Sequence, residues 1–99
     1  MVYNVSATPE AKIKFQSHVE FLTKVSKTAA IRLKNTLKTS LEELSENPNM
    51  YPHYECEISD NLKYKLFSSR YRIVFEIVDD NVYIYDIQDC RQDTDKNFL

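Results

Sequence analysis

The chain contains no glycine in 99 residues. At ordinary usage of about 7%, roughly seven would be present. The absence excludes a P-loop, a GxGxxG dinucleotide turn and a GxSxG nucleophile elbow, since each needs glycine for its backbone shape. Any anion site must be built from side chains or helix N-termini. Tryptophan is also absent, and there are only three prolines and two cysteines. Cys56 and Cys90 lack CxxC spacing and form no zinc pattern with His18 and His53. Reduced thiols in a cytoplasmic protein are therefore expected, with no metal and no cofactor. Apolar runs are too short for a transmembrane helix, so no membrane partner is expected. The start, MVYNVSATPE, lacks the basic region and apolar core of a signal peptide.

What is present fits one small soluble domain over residues 1–99. Hydrophobic residues make up 42% and charged residues 28%, with seven tyrosines. A domain of this size has a limited core, which favours a surface or shallow groove over a deep pocket. The net charge is −2, divided as +2 over residues 1–47 and −4 over residues 48–99. A dedicated nucleic-acid binder usually carries a basic excess. Any RNA contact here would depend on a local cationic patch.

Residues 2–7 read as a short strand. Thr8-Pro9-Glu10 is a helix start: a cap, a first-turn proline and an acid at the positive dipole end. Ala11, Phe15, Val19 (or His18), Leu22 and Val25 then mark one buried helical face. Ser26 restarts the pattern. Ala30, Leu33, Leu37, Leu41 and Leu44 form a second stripe, ending near Asn47-Pro48. With almost no gap, the two helices form an αα-hairpin. Lys27, Lys34 and Lys38 fall on its solvated side.

After residue 54 the period changes from 3.6 to 2. A short edge strand is expected at 55–59, followed by strands at 62–67, 70–78 and 82–88. Asp79-Asp80-Asn81 serves as a turn, since Asp and Asn tolerate positive φ. The fold class is α+β: an N-terminal strand, an αα-hairpin, then a three- to four-stranded antiparallel sheet.

If Ser68-Ser69 is a two-residue turn, Lys65 faces Arg72, Lys63 faces Val74 and Leu66 faces Tyr71. Tyr64 and Leu66 then lie with Tyr71 and Ile73 on the core side. Lys63, Lys65 and Arg72, with Arg70 nearby, cluster on the other face. Like charges directly opposite are unfavourable. Either these side chains splay into water, neutralised by Glu76 and Glu57, or they await an anion such as phosphate or a partner's carboxylates.

The stretch SSRYRIVFEIVDDNVYIYDIQDCRQD resembles the C-terminal core of RelE/ParE-superfamily toxins of bacterial type II toxin–antitoxin modules. LEELSENPNMYP resembles that family's "L…NP…yP" segment. The resemblance implies a growth-inhibiting toxin bound by a cognate antitoxin protein. It implies one of two targets. The RelE-like branch cleaves mRNA on the ribosome, and Lys63, Lys65 and Arg72 occupy the positions of its sheet cations. Arg91 stands beside the position of a further arginine. Such cations would stabilise charge on the attacked phosphate, alongside a general base and acid. The chain departs from that branch at Phe98, where a tyrosine is common, and at Gln92. The ParE-like branch inhibits DNA gyrase by protein–protein contact. A third reading is a non-toxic binding module with the same fold. The slight lean is to mRNA cleavage.

Overall fold

The computed structural model describes residues 2–54, 61–68 and 70–89. Its elements are β1 (Asn4–Ala7), α1 (Pro9–Val25), α2 (Lys27–Glu46), a 3-10 turn (Pro48–Met50), β2 (Leu62–Phe67), β3 (Tyr71–Val78) and β4 (Asn81–Asp89). The helix signals act as read. Thr8 Oγ1 accepts from the Ala11 N–H at 3.2 Å, and Pro9 opens α1. Ser26 closes one helix and starts the next. Its N–H donates to the Leu22 carbonyl at 2.7 Å, while its Oγ accepts from the Ala29 N–H at 3.2 Å. One residue thus separates the two helices. Proline at 48 follows the end of α2, where continued helix is disfavoured in the preceding residue.

The strands form one four-stranded sheet in the order β1-β4-β3-β2. β2, β3 and β4 run antiparallel, and β1 lies parallel to β4, so the sheet is mixed. Parallel pairing follows from the long helical crossover between β1 and the rest of the sheet. Ala11, Val19, Ala30, Leu33 and Leu44 from the helices bury Phe67, Tyr71, Ile73, Phe75, Val82, Ile84 and Ile87 from one sheet face. The opposite face carries no element of the described chain beyond the loop at Tyr54.

β4 reaches both Ile84 and Ile87 to the core because it bulges. Val74 pairs with Asp86 but Phe75 pairs with Ile84, so Tyr85 is the extra residue. An extra residue resets the alternation. The apolar run that reads as two-faced in the sequence is a single inward face interrupted once.

The β2–β3 register differs from the two-residue-turn expectation by one step. Phe67 pairs with Tyr71, Leu66 with Arg72, Lys65 with Ile73 and Lys63 with Phe75. The connection is three residues, 68–70, entered through Ser68 at φ 55. A left-handed residue in a three-residue loop is a common hairpin solution. A one-residue slip turns every side chain of a strand over. Phe67, not Leu66, is therefore buried, and Leu66 is 57% exposed. Tyr64 and Leu62 move with Leu66 to the open face. Asp79 at φ 56 makes the second glycine-free turn.

The register sets a testable contrast. Phe67→Ala is expected to cost about 3–5 kcal/mol. Leu66→Ala is expected to stay within about 0.5 kcal/mol. Urea midpoints for the two variants check this directly, and similar losses would return Leu66 to the core.

Candidate functional site

The slipped register divides the expected cationic cluster. Lys63 and Lys65 lie on the helix face of β2, while Arg72 lies on the open face of β3. Lys65 Nζ sits 3.3 Å from Glu43 Oε1 of α2 and 5.1 Å from the Tyr51 ring centroid. Its side chain is only 10% exposed. Lys63 Nζ donates to the Tyr51 carbonyl at 3.0 Å. Tyr51 in turn meets Phe75 edge to face, 6.1 Å between centroids. Both lysines thus hold the loop before β2 against the core.

That loop straps the outer edge of β2. The Tyr54 N–H donates to the Leu62 carbonyl at 2.8 Å, and the Tyr64 N–H to the Pro52 carbonyl at 3.1 Å. Tyr51 falls on the helix side of the strap and Tyr54 on the open side. Tyr54 meets Tyr64 edge to face at 6.3 Å, and the Arg72 guanidinium lies 5.2 Å from the Tyr54 centroid.

Gln88 organises the open face. Its Oε1 accepts from Arg72 Nε, and its Nε2 donates to Tyr54 Oη at 3.1 Å and Asp86 Oδ2 at 2.9 Å. One amide orientation satisfies all three contacts. Asp86 Oδ1 pairs with Lys14 Nζ of α1 at 2.9 Å, past the end of β1. Partial burial works to raise the Asp86 pKa. Hydrogen bonds from Lys14 and Gln88, with the Lys14 charge, outweigh it and hold the carboxyl below its ordinary value. Further along, the Tyr85 hydroxyl donates to Glu76 Oε1 at 2.9 Å, and this bond to a carboxylate raises the phenol's pKa. The open face is therefore a tyrosine-rich surface of mixed charge, not a cationic one.

Arg70 stands at the end of the sheet. Its Nη2 lies 3.8 Å from Asp89 Oδ2 and donates to the Tyr71 hydroxyl at 3.2 Å. Beneath it, His18 Nε2 lies 3.0 Å from the Ile87 carbonyl. Arg91, Gln92 and Phe98 lie outside the described residues, as do Glu57, both cysteines and the expected strand at 55–59. Among the described residues, no group of three His, Cys, Asp or Glu is placed to hold a metal ion. No helix among them is long and apolar enough to cross a membrane.

The spacing rules passed over Tyr54, Gln88, Asp86 and Lys14. Only the tyrosine count pointed toward this surface. The Lys14–Asp86 and Lys65–Glu43 pairs join residues far apart in the chain, and no local pattern announces them.

A model of the family described as the ParE toxin of the type II toxin–antitoxin system, parDE, matches residues 5–94. The chain belongs to the ParE toxin family. It is a type II toxin of the RelE/ParE superfamily. Its fold is similar to a structure described as the chromosomal ParDE system from P. aeruginosa. That match has a TM-score of 0.72 at 10% identity, covering 89% of this chain and 96% of the other. It is also similar to the toxin–antitoxin complex RelBE2 from Mycobacterium tuberculosis. There the TM-score is 0.64 at 16% identity, covering 90% and 99%. No curated protein sequence gives a match. At these identities the structures speak for the fold, and the chemistry of the ParE toxin must be read from its own side chains.

Asp86 gives a pH prediction. A carboxyl whose folded pKa is lowered contributes stability above its unfolded value, about 3.9, and loses it as pH falls through the folded value. Asp86→Asn is expected to lower the melting temperature at pH 7. The gap to the parent should close below about pH 3, and an undiminished gap there would assign the effect to packing instead.

Proposed function

We propose that this ParE toxin arrests growth by gripping a protein target, as the ParE-like branch grips DNA gyrase, and that a cognate antitoxin restrains it. The observation that carries the reading is the dispersal of the three sheet cations. Stabilising a phosphorane-like transition state needs cations converging on one phosphate. Here Lys63 is engaged by a backbone carbonyl, Lys65 by Glu43, and Arg72 by Gln88 on the other side of the sheet. The net charge of −2 also suits a protein target better than an RNA-lined one. The exposed tyrosines and Arg72 are residue types enriched at protein interfaces. An antitoxin partner is supported by both similar structures, which are described as toxin–antitoxin assemblies.

The second reading is ribosome-dependent mRNA cleavage with Lys63, Lys65, Arg72 and Arg91 as the cationic set. What favours it is Arg72 lying against Tyr54, with Tyr64 beside it on the open face. Guanidinium and aromatic planes can receive an unstacked base.

Expression of the chain without its partner separates the two. The expected outcome is growth arrest with intact mRNA and loss of plasmid supercoiling. The variants Lys63→Ala and Arg72→Ala should leave mRNA integrity unchanged. Ribosome-dependent cleavage abolished by Arg72→Ala would instead establish the nuclease.

A further inference from the structure

The two edges of the sheet are unequal. On β2 the strap at 52–54 takes up backbone groups of Leu62 and Tyr64. On β1 the outer backbone groups are open. The Asn4 N–H donates to the Asp80 carbonyl at 2.8 Å, and the Thr8 N–H to the Ile84 carbonyl at 2.9 Å. Even-numbered residues therefore point at β4, and the odd-numbered ones point away from it. The Tyr3 N–H, the first of the odd set, is taken by the Ser45 carbonyl at the end of α2, 2.7 Å away. That leaves the N–H and C=O groups of Val5 and Ala7 along the free edge. Asn4–Ala7 carries no charge, no proline and no bulge, the usual devices that blunt an edge.

A cavity of about 390 Å3 opens against this same edge. Val5 and Ala7 form one side, and Phe15, Leu37, Leu41 and Ile87 form the rest. Lys12 stands at its lining, exposed and without an ion pair among the described residues. An unpaired ladder beside an apolar recess under one cation fits one kind of occupant. It is an extended segment whose alternate side chains are apolar, flanked by an acidic residue.

We infer that the antitoxin adds a strand to the free edge of β1 over Val5–Ala7, seats an apolar side chain among Phe15, Leu37 and Leu41, and sets a carboxylate on Lys12. The inference rests on the antitoxin partnership proposed above. It assigns the docking edge to β1 and excludes β2, whose edge is already strapped.

The test uses the full chain and the product of the short reading frame adjacent to its own. Ala7→Pro removes an outward N–H while leaving the bonds from Asn4 and Thr8 to β4. Lys12→Glu reverses the charge at an exposed position. Each is expected to weaken binding roughly tenfold or more. Far-UV circular dichroism melts of the free variants establish that they fold. Amide exchange supplies a readout independent of any substitution. In the parent complex, the Val5 and Ala7 amides should slow on the order of a hundredfold.

Parent-like affinity in both variants with unchanged exchange at Val5 and Ala7 would overturn the inference and leave the antitoxin partnership standing. Protection of those two amides in the free chain, rising with its concentration, would assign the edge to a second copy and equally overturn it. If the neighbouring product does not bind and expression without it is harmless, the partnership itself fails, and the inference with it.

Discussion

The left-handed turn at Ser68 decides which way every side chain of β2 faces. With φ at 55 there, the connection to β3 takes three residues, and Phe67 rather than Leu66 enters the core. Lys65 and Lys63 follow Phe67 by alternation and arrive on the helix side, beside Glu43 and Tyr51. Arg72 goes to the other side with Leu66. Separation of the cations, capture of the Tyr51 loop and the polar network around Gln88 all descend from that one backbone angle. A non-glycine residue in this region costs roughly 1–2 kcal/mol. The burial of Phe67 against Tyr71, 5.6 Å between ring centroids, is the kind of gain that offsets it.

The sheet's faces and edges divide the labour. One face is consumed by the helices. The other is finished with tyrosines and a satisfied Arg–Gln–Asp–Lys network, which holds charge without a surplus of either sign. One edge is strapped by two aromatic residues straddling it, a device that hides backbone polarity while adding packing on both sides. A small domain has little spare core, so these surface arrangements carry stability as well as recognition.

Much of this was legible in the residues. Thr8-Pro9 and Ser26 act as read because capping is a local matter of one side chain and a nearby N–H. The apolar stripes through Ala11–Leu22 and Ala30–Leu44 face inward as their spacing demands. The family signature around residues 70–89 also led correctly to the fold. The hairpin register was not legible, because Ser68 favours neither turn length by composition. The site was misjudged for the same reason, since its cluster was built on that register. The bulge at Tyr85 was hidden too: a run with apolar residues on both parities looks the same whether the strand is central or bulged.

Parallel pairing of β1 with β4 ties Asn4 to Asn81 and Ala7 to Ile84, nearly the two ends of the described chain. The first strand emerges from the ribosome with no sheet to join. At about 5–20 residues per second, its partner follows after some four to fifteen seconds. Until then the helical hairpin has no complete sheet to cover. The toxin thus matures only at the end of its own synthesis, so the fold's long-range closure acts as a built-in delay between translation and harm.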